Sequence, residues 1–200
     1  MGRLNREGGF SLVEMLVVVG IIGILGVIGI GFSSKAYVRR DADRVANNIS
    51  SDLNLMRMSA MRRGVEYRLE LDYNQGCSTI GSVEYCNFVT LRQLRGDSNQ
   101  SSSNWNSTPR PIIAEQFLTL SRKLEVKPGA TFPMTITFRP NGTVAEAGTG
   151  DLSITVFPST AMASADVNNC GFVSVNGIGR VMVYKGTWNG TGSVCNPIRD

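Results

Sequence analysis

The chain reads as an α+β protein. A long N-terminal helix, half of it membrane-spanning and half amphipathic, packs on an antiparallel β-sheet head. Three observations predict this. An apolar run from Phe10 to Phe32 carries one charge, Glu14. A stripe of apolar residues at spacings of three and four then runs from Ala42 to Ala60. From Val65 the spacing changes to two, and strand-like runs separated by turn residues follow. A single helix ahead of successive strands is an α+β layout.

The first element, Phe10 to Phe32, is 23 residues, about 34 Å as a helix and long enough to cross a bilayer. A secretory signal has a shorter apolar region with its small residues after it; here Gly8 and Gly9 precede the run. Arg3 and Arg6 flank one side and Lys35, Arg39 and Arg40 the other, so charge bias leaves the orientation open. Glu14 is the anomaly, because a central charge in a bilayer costs about 2.5–3.5 kcal/mol. Glycines at 20, 23, 26, 29 and 31 weaken the helix by up to about 1 kcal/mol each, and they allow close helix packing in lipid. "GIIGILG" is not a nucleotide-binding loop, since no strand precedes it and its neighbours are aliphatic.

In the second element Ala42, Val45, Ala46, Ile49, Leu53, Met56 and Ala60 form one apolar face. Arg62, Arg63 and Gly64 supply a favourable last turn and a stop. The two segments read as one helix from Phe10 to Arg63. Arg39, Arg40, Arg44, Arg57, Arg62 and Arg63 are read as a solvated face with helix-end charges, in preference to a phosphate-binding stripe.

The third region begins with "VEYRLELDY", where Val65, Tyr67, Leu69, Leu71 and Tyr73 alternate as a strand with one buried face. Further strands are expected at "FVTLRQL", "FLTLSRKLEV", "FPMTITF", "LSITVF", "GFVSV" and "RVMVYK", with a Pro-Asn-Gly turn in "RPNGT" at 139–143. Residues 96–111 are polar and aperiodic, which predicts a long, mobile surface loop with Trp105 as its packed anchor.

Composition narrows the chemistry. The 200 residues carry a formal charge of +4 and no histidine. No Ser-His or Cys-His nucleophile pair and no imidazole ligand is available, and no pair among the 16 carboxylates is marked out by its context. The chain is read as a non-enzyme without cofactor or metal. Cys77, Cys86, Cys170 and Cys195 lack the C-x-x-C spacing. An even count beyond a membrane anchor indicates disulfides and an oxidising compartment. Of three connectivities, Cys77–Cys86 and Cys170–Cys195 are favoured because each pair brackets a local strand-and-turn segment.

A short basic leader ending in glycine, followed by "FSLVEMLVVVGIIGILGVIGIGF", resembles the class III signal of type IV prepilins and pseudopilins. The resemblance implies a leader peptide over residues 1–9, cleavage between Gly9 and Phe10 by a prepilin peptidase, and N-methylation of Phe10. It implies that Glu14 neutralises the amine of a neighbouring subunit and sets register, a role in which buried ion pairs are well attested. Many major pilins have a proline where this chain has Gly31. The segments then divide as leader 1–9, membrane or filament-core helix 10–32, amphipathic helix 33–64 and periplasmic head 65–200.

"MSAMRRGVEYRLELD", "FRPNGTV" and "GFVSVNGIGRVMVY" are similar to the GspH/FimT group of minor pilins and pseudopilins. That resemblance implies a minor pilin that helps initiate or cap a type IV pilus. The alternatives it carries are a type II secretion pseudopilin and a FimT-like DNA-binding pilin. DNA-binding members use a "G-R-x-R" motif; here Gly179 and Arg180 match, Met182 replaces the second arginine, and Lys185 follows. The implied partners are other major and minor pilins, the peptidase, the inner membrane and double-stranded DNA. The implied location is a single-pass inner-membrane protein with a periplasmic head, which later enters a pilus or pseudopilus.

Overall fold

A computed structural model describes residues 11–120, 124–128, 132–146, 151–158, 170–187 and 195–197. Within its helix and strands, the side chains of 27–38, 127, 128, 158, 187, 196 and 197 are outside that description. The chain divides into two compact units, Met1–Tyr37 and Val38–Asp200.

Helix α1 runs over Leu12–Arg63. Its first turn closes on Ser11, whose carbonyl accepts the N–H groups of Glu14 and Met15 at 3.0 and 3.2 Å. Glu14 in that turn opposes the positive end of the helix dipole, and Arg62 and Arg63 oppose the negative end. Gly64 stops the helix at φ +70°, with its N–H donated to the Ala60 carbonyl at 3.0 Å. Glycine takes this left-handed cap position without the Cβ penalty that other residues meet.

In the Val38–Asp200 unit, the second half of α1 lies against two antiparallel sheets. The first has the order β3-β2-β1-β5, from β1 (Tyr67–Ile80), β2 (Val83–Arg95), β3 (Ile112–Thr119) and β5 (Met134–Phe138). The second has the order β4-β6-β7-β8-β9, from β4 (Leu124–Pro128), β6 (Leu152–Pro158), β7 (Cys170–Val175), β8 (Val181–Thr187) and β9 (Asn196–Pro197). Every residue of the expected apolar helix stripe, from Ala42 to Ala60, is at most 1% exposed. The stripe shares one core with Leu69, Leu71 and Leu91 of the first sheet and with Ile154, Val156, Val173 and Val175 of the second. The helix therefore fills the space where two sheet faces must lose water.

The antiparallel head holds two sheets, and two details of the strand reading are corrected. "FLTLSRKLEV" is not one strand: β3 ends at Thr119 in the first sheet, and β4 starts at Leu124 in the second. The "RPNGT" turn carries the chain from β5 only to a bridge between Phe138 and Val144, while β6 lies in the other sheet.

The polar loop at 96–111 is also tied down by a buried carboxylate. Glu66 is 2% exposed, and its side chain accepts the N–H groups of Ser101 and Ser102 at 3.1 and 2.8 Å. Its own N–H is donated to the Ser98 carbonyl at 2.8 Å, and its carbonyl accepts Gly96 N–H at 2.7 Å. Trp105 is buried under the Arg68 guanidinium, which lies 4.2 Å from the ring centre. The tryptophan is the loop anchor, and the hydrogen bonds replace the expected mobility.

Candidate functional site

Two regions carry the residues singled out above. The first is the start of α1. Gly9 and Phe10 lie outside the described residues. From Ser11 to Gly26 every side chain is exposed, with Leu12 at 81% and Leu25 at 62%. An all-round apolar helix of this kind is stable only against lipid or other helices. A Cβ added at Gly20, Gly23 or Gly26 would meet no atom within 4 Å, so nothing among the described residues requires those glycines. Glu14 is exposed on the same surface. Among the described residues, no helix is long and apolar enough to cross a membrane; the run read as membrane-spanning includes Phe10 and 27–32, which fall outside the side-chain description.

The second region is where the "FRPNGTV" and "NGIGR" segments meet. In the first, Arg139 N–H bonds the Thr143 carbonyl at 2.9 Å, Gly142 N–H bonds the Arg139 carbonyl at 2.8 Å, and Gly142 has φ +81°. The Asn141 carboxamide oxygen accepts both the N–H and the hydroxyl of Thr143. In the second, Gly179 N–H bonds the Asn176 carbonyl at 2.8 Å with φ +76°, and the Asn176 side chain accepts Arg180 N–H at 2.8 Å. Val144 N–H joins the two turns by a bond to the Gly177 carbonyl at 3.1 Å.

The two motif glycines serve one contact. A Cβ on Gly179 would overlap the Gly142 carbonyl oxygen and lie 3.1 Å from Arg57 Nε. Arg57, on the helix, donates Nε to the Gly142 carbonyl and Nη2 to the Ile178 carbonyl, both at 3.3 Å. One helical arginine thus ties a turn of the first sheet to a turn of the second. Sequence reasoning placed Arg57 in a solvated row. No local signal marks its role, because its acceptors are 85 and 121 residues away.

Arg180 emerges from this junction exposed, and no ion pair forms with it among the described residues. Lys185 does not join it. Its ammonium pairs with Asp43 Oδ2 on the helix at 3.1 Å, and an offset of five residues along a strand reverses the face. Met182 takes the position two along from Arg180, and its sulfur accepts the Tyr184 hydroxyl at 2.9 Å. The two candidate phosphate contacts are therefore not brought together. Elsewhere in the basic row, Arg44 pairs with Asp41 at 2.7 Å and bonds the Thr119 carbonyl at 2.6 Å.

The cysteines pair as Cys77–Cys86 and Cys170–Cys195, the connectivity that local bracketing favours. Cys77, Glu84 and Cys86 lie together, but both sulfurs are spent on each other. The shifted titratable groups belong to packing. Burial raises the Asp52 carboxyl; its Oδ1 accepts the Gln93 amide at 3.3 Å and its buried Oδ2 has no hydrogen-bond partner among the described residues. Burial, then the charge of Glu125, push the Tyr73 phenol up to about 12, which keeps it a donor to Asn87 Oδ1 at 2.8 Å.

Comparison with known proteins agrees with this geometry. Residues 4–30 match the prokaryotic N-terminal methylation motif. Residues 45–171, more than half of the chain, match the type II transport protein GspH family; the match stops before Gly179 and Arg180. Among solved structures, the minor pseudopilin EpsH from the Type 2 Secretion System of Vibrio cholerae covers 72% of this chain and 97% of its own, at 14% identity and a TM-score of 0.46. No curated protein sequence matches the chain. With a methylation motif heading its apolar helix and the family pattern running through the helix and both sheets, the chain belongs to the GspH family of pilin-like proteins.

Proposed function

We propose that the protein is a minor pilin that helps to initiate or cap a type IV pilus. It is cut after Gly9 and methylated on Phe10, and it leaves the inner membrane for the filament with its head in the periplasm. The observation that carries this reading is the all-round exposed apolar surface of α1 from Leu12 to Leu25, with Glu14 in its first turn. In a bundle of similar helices that surface is covered, the glycines at 20, 23 and 26 admit close neighbours, and Glu14 meets a neighbour's N-terminal amine. Such a pair fixes stagger more than it adds stability. Filament lattices use head-to-tail contacts that do not close, so an initiating subunit differs from the others in its head surfaces. The same role in a type II secretion pseudopilus is the alternative that the GspH match supports.

The test is intact mass and N-terminal sequencing of the full chain from cells that hold the assembly machinery, with and without Glu14→Ala. The expected wild-type product begins at a methylated Phe10 and is found in sheared filaments. Glu14→Ala is expected to be processed yet missing from them. Normal incorporation of Glu14→Ala would defeat the proposal. A second reading, DNA binding, is supported by the exposed guanidinium of Arg180 alone, which forms no ion pair among the described residues.

A further inference from the structure

Among the described residues the two sheets of the head have four edges, and three of them are blunted. On β5, Thr137 donates its N–H to Glu146 Oε2 at 2.7 Å and accepts Ala145 N–H at 2.8 Å, while Phe138 bridges Val144. β4 has five residues and ends in Pro128; β9 has two, one of them Pro197. The fourth edge, β3, is different. It runs for eight residues, contains no proline, glycine or lysine, and exposes Ile112 at 38% and Ile113 at 52%. Its one charge, Glu115, is paired with Arg92 at 2.6 Å. Proteins usually guard an edge of this kind with lysine, proline or a covering segment.

The backbone direction along β3 follows from one bond. Leu120 donates its N–H to the Asn87 carbonyl at 2.8 Å, continuing the β2–β3 register in which Leu118 faces Val89 and Gln116 faces Leu91. In an antiparallel pair such residues alternate with ones whose N–H and C=O point away, here Thr119, Phe117 and Glu115. Arg44 of the helix takes the Thr119 carbonyl at 2.6 Å. Among the described residues, Glu115 and Phe117 are left with outward donors and acceptors, and another extended backbone complements such a row. Phe117 adds an aromatic patch, with Tyr85 and Phe88 at centroid distances of 5.2 and 6.1 Å.

We propose that an extended, largely uncharged segment of another pilin-like subunit adds to the outer edge of β3 as an extra strand. The inference rests on the assembly reading above. It goes beyond it in naming the surface and its mode of recognition: main-chain hydrogen bonds at Glu115 and Phe117, with apolar side chains beside Ile113 and Phe117.

The experiment places a photoreactive residue at Gln116 of the full chain, in cells that assemble the filament. The expected adduct joins the protein to a different pilin-like subunit. Glu115→Ala removes the ion pair but keeps the N–H and retains the adduct. Glu115→Pro removes an N–H that serves no bond among the described residues, a substitution that edge strands accept, and the adduct falls at least about tenfold. Ile113→Lys, a charge on the same edge, gives the same loss by a separate route. Leader processing and both disulfides report folding of each variant. An adduct that survives Glu115→Pro and Ile113→Lys, one lost equally in Glu115→Ala, one formed only with a second copy, or none from a processed and incorporated chain would each overturn the proposal. Failure of processing or incorporation in the wild type would instead bring down the assembly reading beneath it.

Discussion

Gly179→Ala tests the junction between the two sheets most directly, because Gly64→Ala supplies a matched control. Both glycines have left-handed φ, +76° and +70°, so alanine at either position costs about 1–2 kcal/mol in backbone strain. At Gly64 the added methyl meets nothing within 4 Å, and strain is the whole effect. At Gly179 the methyl overlaps the Gly142 carbonyl and presses on Arg57 Nε. The two turns must separate, which loosens the Arg57 bonds to the Gly142 and Ile178 carbonyls. A hydrogen bond from a charged donor contributes about 1.5–3 kcal/mol; these are long, so about 2 kcal/mol for the pair is the expected added loss. The prediction is about 1–2 kcal/mol for Gly64→Ala and about 3–4 kcal/mol for Gly179→Ala. Urea unfolding of the full chain in detergent, followed by tryptophan fluorescence, measures both. Equal losses at the two positions would refute the argument that Gly179 is required by close approach.

Other consequences can be checked in the same preparation. Burial raises the Asp52 carboxyl above its ordinary value of 3.8, so the folded state holds this proton more tightly than the unfolded one, and stability from this group falls as pH rises from 3.8 through the raised value. Asp52→Asn is therefore expected to be stabilising at neutral pH, with the gain shrinking as pH falls toward 3.8; a gain that grows on acidification contradicts the assignment. Removing Cys170–Cys195, with 25 residues of separation, is expected to cost about 3.5 kcal/mol, against about 2.6 kcal/mol for Cys77–Cys86 with nine. The first pair is buried and the second is exposed at Cys77, so mild reductant followed by thiol labelling should open Cys77–Cys86 first. For DNA, a salt titration of binding to a duplex beside Arg180→Ala is decisive: with Arg180 and Lys185 not brought together, binding should be weak and its salt slope should drop by about one in the variant. An unchanged slope would remove Arg180 as a phosphate contact.

Much of this protein is written in local periodicity. The helix stripe from Ala42 to Ala60, the stop at Gly64, the switch to alternation at Val65 and the Pro-Asn-Gly turn are each decided by residues within a few positions of one another. A helix or strand selects its buried face through spacings that any window of the chain displays. The resemblance of the first 30 residues to a prepilin signal is legible for the same reason, since its glycine, phenylalanine and glutamate are consecutive features of one segment. Tertiary structure alone decided how the strands divide between two sheets, and that "FLTLSRKLEV" passes from one to the other. It alone placed Glu66 under the 96–111 loop, paired Lys185 with Asp43 away from Arg180, and set Gly142 against Gly179 beneath Arg57. These contacts join residues tens to more than a hundred positions apart. Their energies depend on which surfaces meet once the helix stripe is buried, and no local spacing carries that information.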